Sequence, residues 1–366
     1  MTEQTSTDRT RAEARALFDA PPLDQRARAS LDFLAGLSRA GGTAKAEVFQ
    51  RLATPDVAEA LAACRTPRDR AAVADPAVAG SPALAWYHLL EGWRLDQHGV
   101  IAQQAFDALG EDFVDVVTAF DDGPATLEPD PDPQPPAYWD GVDFHCTTGG
   151  WDGHAFMGYV HGQIVHKIMV DKIFPGGIYR QRRQVAALAP RDRYDRILEL
   201  GASTGHYTLA LQETYPDAEI TGVDLSIRGL EQARRVANKE GHAWRLYQRD
   251  ACATGFAADS FDLVTSYIVL HEMPAQPVRD MFAEAFRVLK PGGDLLFSDV
   301  ARLHNLPPVD AWWADFFARH GGEPYWRASA SLDLAAVAAE AGFTDIDERG
   351  LSPADYPHLI VARKPA

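Results

Sequence analysis

Apolar positions along this chain change their period near its middle. From Pro21 to about Phe120 they recur at spacings of three or four, as in Leu31/Leu34, Val48/Leu52 and Leu84/Tyr87/Leu90, the repeat of helices that bury one face. Further on, short apolar runs appear near 196–200, 219–224, 244–248, 262–267 and 294–299, with helical patterns between them. Strands alternating with helices imply a parallel sheet covered on both faces. The end of the chain breaks that alternation. Phe343–Glu348 and His358–Ala362 both read as strands, and a parallel return between them would need a crossover of about a dozen residues or more. The segment that joins them is shorter. They are expected to pair antiparallel, or the last strand to insert antiparallel into the sheet.

Composition divides the chain further. Residues 1–20 are polar and alanine-rich, without an apolar stripe, and are expected to form a mobile tail. Residues 121–143 carry seven acids, no Lys or Arg, and six prolines between Pro124 and Pro136. Such a stretch favours an extended linker whose charges repel. The expected organisation is therefore a tail, an all-α N-terminal domain over 21–120 that serves as lid or dimerisation unit, the linker, and an α/β domain over 144–366.

Charge and cysteine usage narrow the function classes. The formal net charge of −17 argues against nucleic-acid partners, which depend on clustered Lys and Arg. The basic run Tyr179-Arg180-Gln181-Arg182-Arg183 is a local exception. It reads as a solvated helix face or as a cationic lip near an anionic ligand. No apolar run reaches the ~20 residues that span a bilayer, and the N-terminus lacks a secretory apolar stretch. Cys64, Cys146 and Cys252 are too scattered for a disulfide framework or a zinc cluster. A cytoplasmic setting without membrane contact is expected.

The candidate chemistry starts at Ile197-Leu198-Glu199-Leu200-Gly201-Ala202-Ser203-Thr204-Gly205, an apolar strand that runs into a glycine turn. Nineteen positions beyond Gly205, Asp224 closes the next strand, Ile220-Thr221-Gly222-Val223. A glycine turn lets a ligand approach the backbone, and an acid about 20 residues on can accept ribose hydroxyls. A dinucleotide fingerprint would need glycine at the first, third and sixth loop positions. Here those are Gly201, Ser203 and His206, so a nicotinamide oxidoreductase is the weaker reading. Glu199 is an acid between Leu198 and Leu200 and needs a partner if buried.

The turn, with Glu199, Gly201, Ser203 and Gly205, resembles motif I of class I S-adenosylmethionine-dependent methyltransferases, with Ser203 where the middle glycine is usual. The resemblance continues through Asp224-Leu225, Asp250-Ala251, the strand Ser260–Ser266 and the turn Leu289-Lys290-Pro291-Gly292-Gly293 before Asp294–Phe297. It is similar to the small-molecule group that includes quinone-biosynthesis and natural-product enzymes. It implies a doubly wound, mostly parallel seven-stranded sheet with a reversed last strand. It also implies S-adenosylmethionine held by Glu199, Gly201, Ser203, Gly205, Asp224, Leu225, Asp250, Ala251 and Tyr267.

The acceptor is expected above the carboxyl ends of the strands, where open α/β sheets place ligands. His271 and Glu272, just after the fourth strand, resemble a pair found there in small-molecule methyltransferases, and His271 is the leading general base. Each could instead be structural, since adjacent side chains diverge. The segment Phe144–His154 looks like a pocket-forming loop and offers His154 as a further catalytic candidate, with Trp151 and Tyr159 facing the substrate. His154 and His161 are seven apart and could share a helix face, yet no carboxylate or cysteine completes a metal site with them, so no metal is expected. Beyond the fifth strand, His304, Trp313 and Phe317 are candidate pocket walls; an ordinary buried helix face is the other reading of these aromatics. The expected partner is a small-molecule acceptor, with oxygen favoured over carbon, nitrogen and sulfur, and a homodimer through the N-terminal helices. A silent S-adenosylmethionine-binding subunit or sensor is the rival from another class.

Overall fold

The computed structural model describes residues 21–170 and 177–366; the tail expected over 1–20 lies outside them. Among the described residues, eight strands form one sheet: β1 Thr126–Glu128, β2 Arg196–Leu200, β3 Glu219–Asp224, β4 Arg245–Gln248, β5 Phe261–Tyr267, β6 Leu289–Asp299, β7 Thr344–Gly350 and β8 His358–Arg363. Their spatial order is β1-β4-β3-β2-β5-β6-β8-β7. The strands from β1 to β6 run parallel to their neighbours. β8 lies antiparallel between β6 and β7, with Leu296 opposite Val361. Both alternatives for the chain end are thus realised in one strand.

β2 shows how the sequence sets the layers. Alternate residues of a strand point to opposite faces. Ile197 joins one buried cluster, with Tyr207, Leu211 and Trp244, while Leu198 and Leu200 join the other, with Val264, Met281 and Phe282. Helices cover both faces, so neither row is exposed to water. The parity of the strand also carries Glu199 into the first cluster's layer, where it is 1% exposed.

The N-terminal region folds as helices over Gln25–Leu52, Pro55–Ala63, Pro67–Val78, Pro82–Asp107 and Glu111–Thr118. Local chemistry starts them. The Asp24 carboxylate accepts the Ala27 N–H, Thr66 and Asp69 form a reciprocal capping box, and Pro55, Pro67 and Pro82 occupy first-turn positions where a missing N–H costs nothing. These helices do not form a core of their own. Leu31, Leu34, Ala102 and Phe106 pack into the cluster of Tyr159, Ile164 and Ile197. Val48, Leu52, Leu61 and Tyr87 close over Trp312, Trp313 and Phe316.

The stretch expected to be a self-repelling linker is docked instead, and it adds an eighth strand to the seven expected. Thr126–Glu128 pairs along β4, and the Ala125 N–H donates to Asn238 Oδ1 at 2.8 Å. Two of its seven acids, Asp121 and Glu128, have cationic partners that the local composition hides. Arg235 Nε donates to Asp121 Oδ1 at 2.6 Å, Arg234 lies 3.2 Å from the same oxygen, and Arg249 donates to Glu128 at 2.9 Å. Among the described residues, no helix is long and apolar enough to cross a membrane.

Candidate active site

A cavity of about 590 Å³ opens at the carboxyl ends of the central strands, within the size range of small-ligand sites. Its first end is built by the turn after β2. Gly201 and Gly205 have φ of +80° and +78°. A Cβ on Gly201 would come within 2.4 Å of Val269, and one on Gly205 within 2.9 Å of Ala233. Ser203 also takes a left-handed φ, +45°, a conformation that glycine adopts at less cost. The Ser203 N–H donates to Asp224 Oδ2 at 2.8 Å, which ties the turn to the tip of β3, and the Ser226 N–H donates to Oδ1 at 2.8 Å. Burial raises Asp224 to about 6; those two N–H groups act the other way, and Glu272 and Asp152 add to the rise. Asp224, Leu225, Asp250 and Ala251 line this end together with Gly201 and Ser203.

Glu199 and Gly205 stand behind the turn and do not line the cavity. Glu199 Oε2 is buried without a hydrogen-bond partner. Burial pushes this carboxyl up to about 8, with Thr208 and Arg182 opposing and Asp224 reinforcing the shift. Tyr267, at the end of β5, does face the cavity; its hydroxyl donates to Gln181 Oε1 at 2.7 Å, and the Arg182 guanidinium lies 5.1 Å over its ring. Of the two readings of the basic run, Arg182 takes the pocket-lining one, while Arg183 pairs with Glu213.

The second end is a cluster of side chains. After β5 the chain turns through Ile268 at φ +57°, an unfavourable conformation for a β-branched residue. The one-turn helix Leu270–Glu272 follows. His271 is 3% exposed, and its Nδ1 lies 3.2 Å from Asp299 Oδ1 at the tip of β6. Asp299 in turn lies 3.7 Å from the buried Arg302. Burial alone would lower the imidazole pKa of His271; Asp299, Glu323 and Glu272 reverse this and raise it. Glu272 faces the same space, accepting the Trp151 Nε1–H at 3.1 Å.

His145 completes the cluster. Its Nε2 is 3.1 Å from Glu272 Oε1, and its Nδ1 is hydrogen-bonded to Glu323. Neither His145 nor Glu323 is among the residues expected at the site. His145 lies in the flagged segment before the core, whereas Glu323 follows Gly321-Gly322 at the end of the aromatic helix Pro308–His320. The His145 N–H donates to the Gly322 carbonyl at 3.2 Å, and this backbone contact brings the two loops together. Two more pocket histidines, His161 and His166, have ring centroids 4.1 Å apart. They belong to a π-helical turn over Val160–Met169, whose five-residue repeat stacks positions five apart.

Four expected residues lie elsewhere. His154 Nε2 is 3.0 Å from Asp107 Oδ1 and its Nδ1 accepts the Phe156 N–H, so both ring nitrogens are engaged away from the cavity. It also precedes the helix that carries His161 and shares no face with it. Tyr159 is buried against Phe106 and Phe113. His304 is exposed. Trp313 packs on Tyr87, with centroids 4.6 Å apart, and on Phe49. The helix that carries it is sandwiched, so Trp313 meets the N-terminal helices while Phe317 reaches the cavity. Trp151 lines the cavity.

Residues 197–293, from β2 to the turn within β6, match the family of methyltransferase domains. Over that stretch the chain carries a methyltransferase domain. The match is 38% identical over 120 residues to a malonyl-[acyl-carrier protein] O-methyltransferase of Legionella pneumophila, covering 32% of this chain and 39% of that one. A ubiquinone/menaquinone biosynthesis C-methyltransferase of Desulfotalea psychrophila is 32% identical over 168 residues, 45% of this chain and 64% of its own. An erythromycin 3''-O-methyltransferase of Saccharopolyspora erythraea is 31% identical over 176 residues, 46% and 56% of the two chains. The chain thus spans less than two thirds of the length of each of these relatives.

S-adenosylmethionine, the cofactor of class I methyltransferase domains, fits the residues present. A half-buried acid at the tip of β3 faces the cavity, the backbone of a tight glycine turn borders it, and the unpartnered Glu199 oxygen lies behind that turn.

Proposed function

We propose that the chain transfers a methyl group from S-adenosylmethionine to a small organic acceptor, with oxygen as the favoured nucleophile. The observation that carries this reading is the cavity at the carboxyl ends of the strands. It joins a ribose-type acid, Asp224, to a histidine–carboxylate cluster at the other end. Asp224 would accept the ribose hydroxyls, Asp250 and Ala251 would border the adenine, and Gly201, Ser203 and Tyr267 would border the remainder of the donor. When bound, the sulfonium supplies an already electrophilic methyl group.

The chain's own residues then have two tasks, alignment of the acceptor and removal of its proton. His271 Nε2 would take that proton, with Asp299 holding Nδ1 and balancing the charge that forms. Glu272, tethered by Trp151, would orient the acceptor. Arg94, Leu95 and His98 of the helix Pro82–Asp107 line the same cavity, which supports a covering role for the N-terminal helices. Water is thereby kept from the reacting atoms. The expected homodimer would use the helical face that exposes Phe33, Trp86, Leu89 and Trp93, and light scattering decides it. The relatives' names include both C- and O-methyltransferases; the buried His271–Asp299 pair is what favours a hydroxyl acceptor here. A net charge of −17 supports a small-molecule acceptor over a nucleic acid, in a cytoplasmic setting.

The test is turnover with isotopically labelled methyl donor in cell extract. A labelled small metabolite together with S-adenosylhomocysteine is the expected result. Binding of the donor with no release of S-adenosylhomocysteine would establish the rival, a sensor or silent subunit.

A further inference from the structure

We propose that His145, His271 and Glu272 form a binding site for a divalent first-row transition cation at the acceptor end of the cavity. One ligand atom from each of the three lies within 4.8 Å of the others. Glu272 Oε1 is 3.1 Å from His145 Nε2 and 4.0 Å from His271 Nε2. Atoms that bind a cation at about 2.0–2.2 Å sit about 3.0–3.5 Å apart when they are adjacent ligands, so the His145–Glu272 pair is already at that spacing and His271 has to close by about an ångström.

The surroundings favour coordination over a simple hydrogen-bonded cluster. Ligating imidazoles characteristically give their other ring nitrogen to a carboxylate, which fixes the tautomer and orients the ring. Both histidines have a carboxylate beside Nδ1, hydrogen-bonded at His145 but not aligned for a hydrogen bond at His271. Glu323 stands behind His145 Nδ1, and Asp299 stands 3.2 Å behind His271 Nδ1. With each Nδ1 turned to its carboxylate, each Nε2 lone pair is left toward Glu272. The remaining oxygen of Glu272 is held by the Trp151 Nε1–H at 3.1 Å, so this ligand is also braced from behind.

Charge is compatible with a cation. Glu272, Glu323 and Asp299 bring three carboxylates together, and Arg302, 3.7 Å from Asp299, offsets one of them. The two negative charges that remain can be balanced by a divalent ion between neutral imidazoles, or by the two imidazoles in protonated form, which the same carboxylates favour. Glu323 Oε2 is buried with no partner and offers a further ligand or a contact for a bound water. Two imidazoles with one carboxylate suit zinc, iron, cobalt or manganese; magnesium and calcium prefer all-oxygen sets.

Phe317, Trp326 and Tyr356 line the same cavity. The acceptor class is therefore an organic molecule that presents one or two oxygen donors beside an apolar or aromatic body. This last step rests on the methyl-transfer reading; cation binding does not. The cation and the acceptor's proton compete for the same His271 Nε2. With a cation bound, His271 would serve as a ligand, and the acidity the cation would lend a coordinated hydroxyl would replace the base that His271 provides in its absence.

The test uses the full chain, freed of metal with a chelator and titrated with Zn²⁺ by calorimetry, then with Co²⁺, whose visible absorption reports its ligands. One ion per chain at micromolar or tighter affinity is expected. His145→Ala and Glu272→Gln should each weaken binding at least tenfold, and Glu323→Gln about 10- to 100-fold, the loss typical of a residue behind a ligand. His154→Ala should leave it unchanged. Donor binding by each variant checks that it is folded. Absence of stoichiometric binding by the folded chain would overturn the proposal, as would binding indifferent to His145→Ala and Glu272→Gln. No acceptor enters the assay, so its failure is separable from a failure of the methyl-transfer reading.

Discussion

The two ends of the cavity are held by different means. At the donor end, the turn Gly201–Gly205 and the tip of β3 are locked by main-chain groups, with the Ser203 and Ser226 N–H both given to Asp224. At the acceptor end, side chains from three separate loops converge. The His145–Glu272 contact joins residues 127 positions apart, and the His145–Glu323 contact joins residues 178 apart. A main-chain site tolerates exchange of neighbouring side chains as long as the turn survives. A side-chain site depends on each residue and on the packing that brings the loops together. The donor end should therefore respond to few substitutions and the acceptor end to many.

The sharpest challenge to that contrast is His271→Gln. Loss of a positioned acid–base group typically costs about 10²- to 10⁴-fold in rate, and loss of a metal ligand would also remove activity. Turnover should fall by that order while the Kd for the donor stays within about twofold of the parent. Full activity would remove His271 from the chemistry, and a matching loss of donor affinity would mean that the two ends are not independent.

Trp313→Ala tests the packing that supports the acceptor end. Trp313 is 7% exposed and joins the aromatic helix to Tyr87 and Phe49. Truncation of a buried aromatic costs about 3–5 kcal/mol, so the denaturant midpoint should fall well below that of the parent. The aromatic helix ends at Gly321, next to Gly322 and Glu323, so an acceptor-side loss is expected at temperatures where donor binding persists. An unchanged midpoint would mean that the N-terminal helices do not brace this helix.

The same contrast explains what could be read in the chain beforehand. The donor end is contiguous. The run from Glu199 to Gly205 is one strand and one turn, and Asp224 closes the adjacent strand, so local spacing and turn chemistry suffice. At Ser203 the left-handed φ shows why glycine is the usual residue, and serine is a departure that the turn accommodates. The acceptor end was only half readable. His271 and Glu272 follow a strand and stand out, but nothing near His145 or Glu323 in sequence announces their contact. Tertiary context also changed the meaning of composition. The acids of 121–143 look self-repelling, yet Arg234 and Arg235 are placed beside Asp121 and Arg249 beside Glu128. Trp313 and Phe317, four apart on one helix, looked like one wall, yet a helix packed on several sides sends them to different neighbours. His154 resembled a pocket residue because of the glycine-rich loop before it; Asp107, from a distant helix, decides its direction.

Smaller effects are expected at Asp224. A hydrogen bond to a charged group is worth about 1.5–3 kcal/mol, so Asp224→Ala should weaken donor binding by about 10- to 150-fold in calorimetry. Asp224→Asn keeps one acceptor oxygen for the turn and should fall between the parent and the alanine variant. Equal affinity in all three proteins would exclude Asp224 from the ribose site.

The pH dependence of donor binding is the finest test, with an expected change of about tenfold between pH 7 and pH 5. Burial first, then Glu272 and Asp152, hold Asp224 up at about 6, against the pull of the Ser226 and Ser203 N–H groups. Ribose hydroxyls donate best to the ionised carboxylate, so affinity should fall as pH drops through about 6. The stability linkage has the opposite sign. A carboxyl whose folded pKa lies above its ordinary 3.8 contributes stability that is whole below that ordinary value and lost as pH rises through about 6. For this one group, acidification strengthens the fold while it weakens binding, so loss of affinity at pH 5 with intact near-UV dichroism separates the carboxylate's role from acid unfolding. Glu199, held up at about 8, stays largely protonated across the same window and does not blur the result. A flat affinity profile from pH 7 to pH 5, or one that persists unchanged in Asp224→Asn, would move the titrating group elsewhere in the cavity.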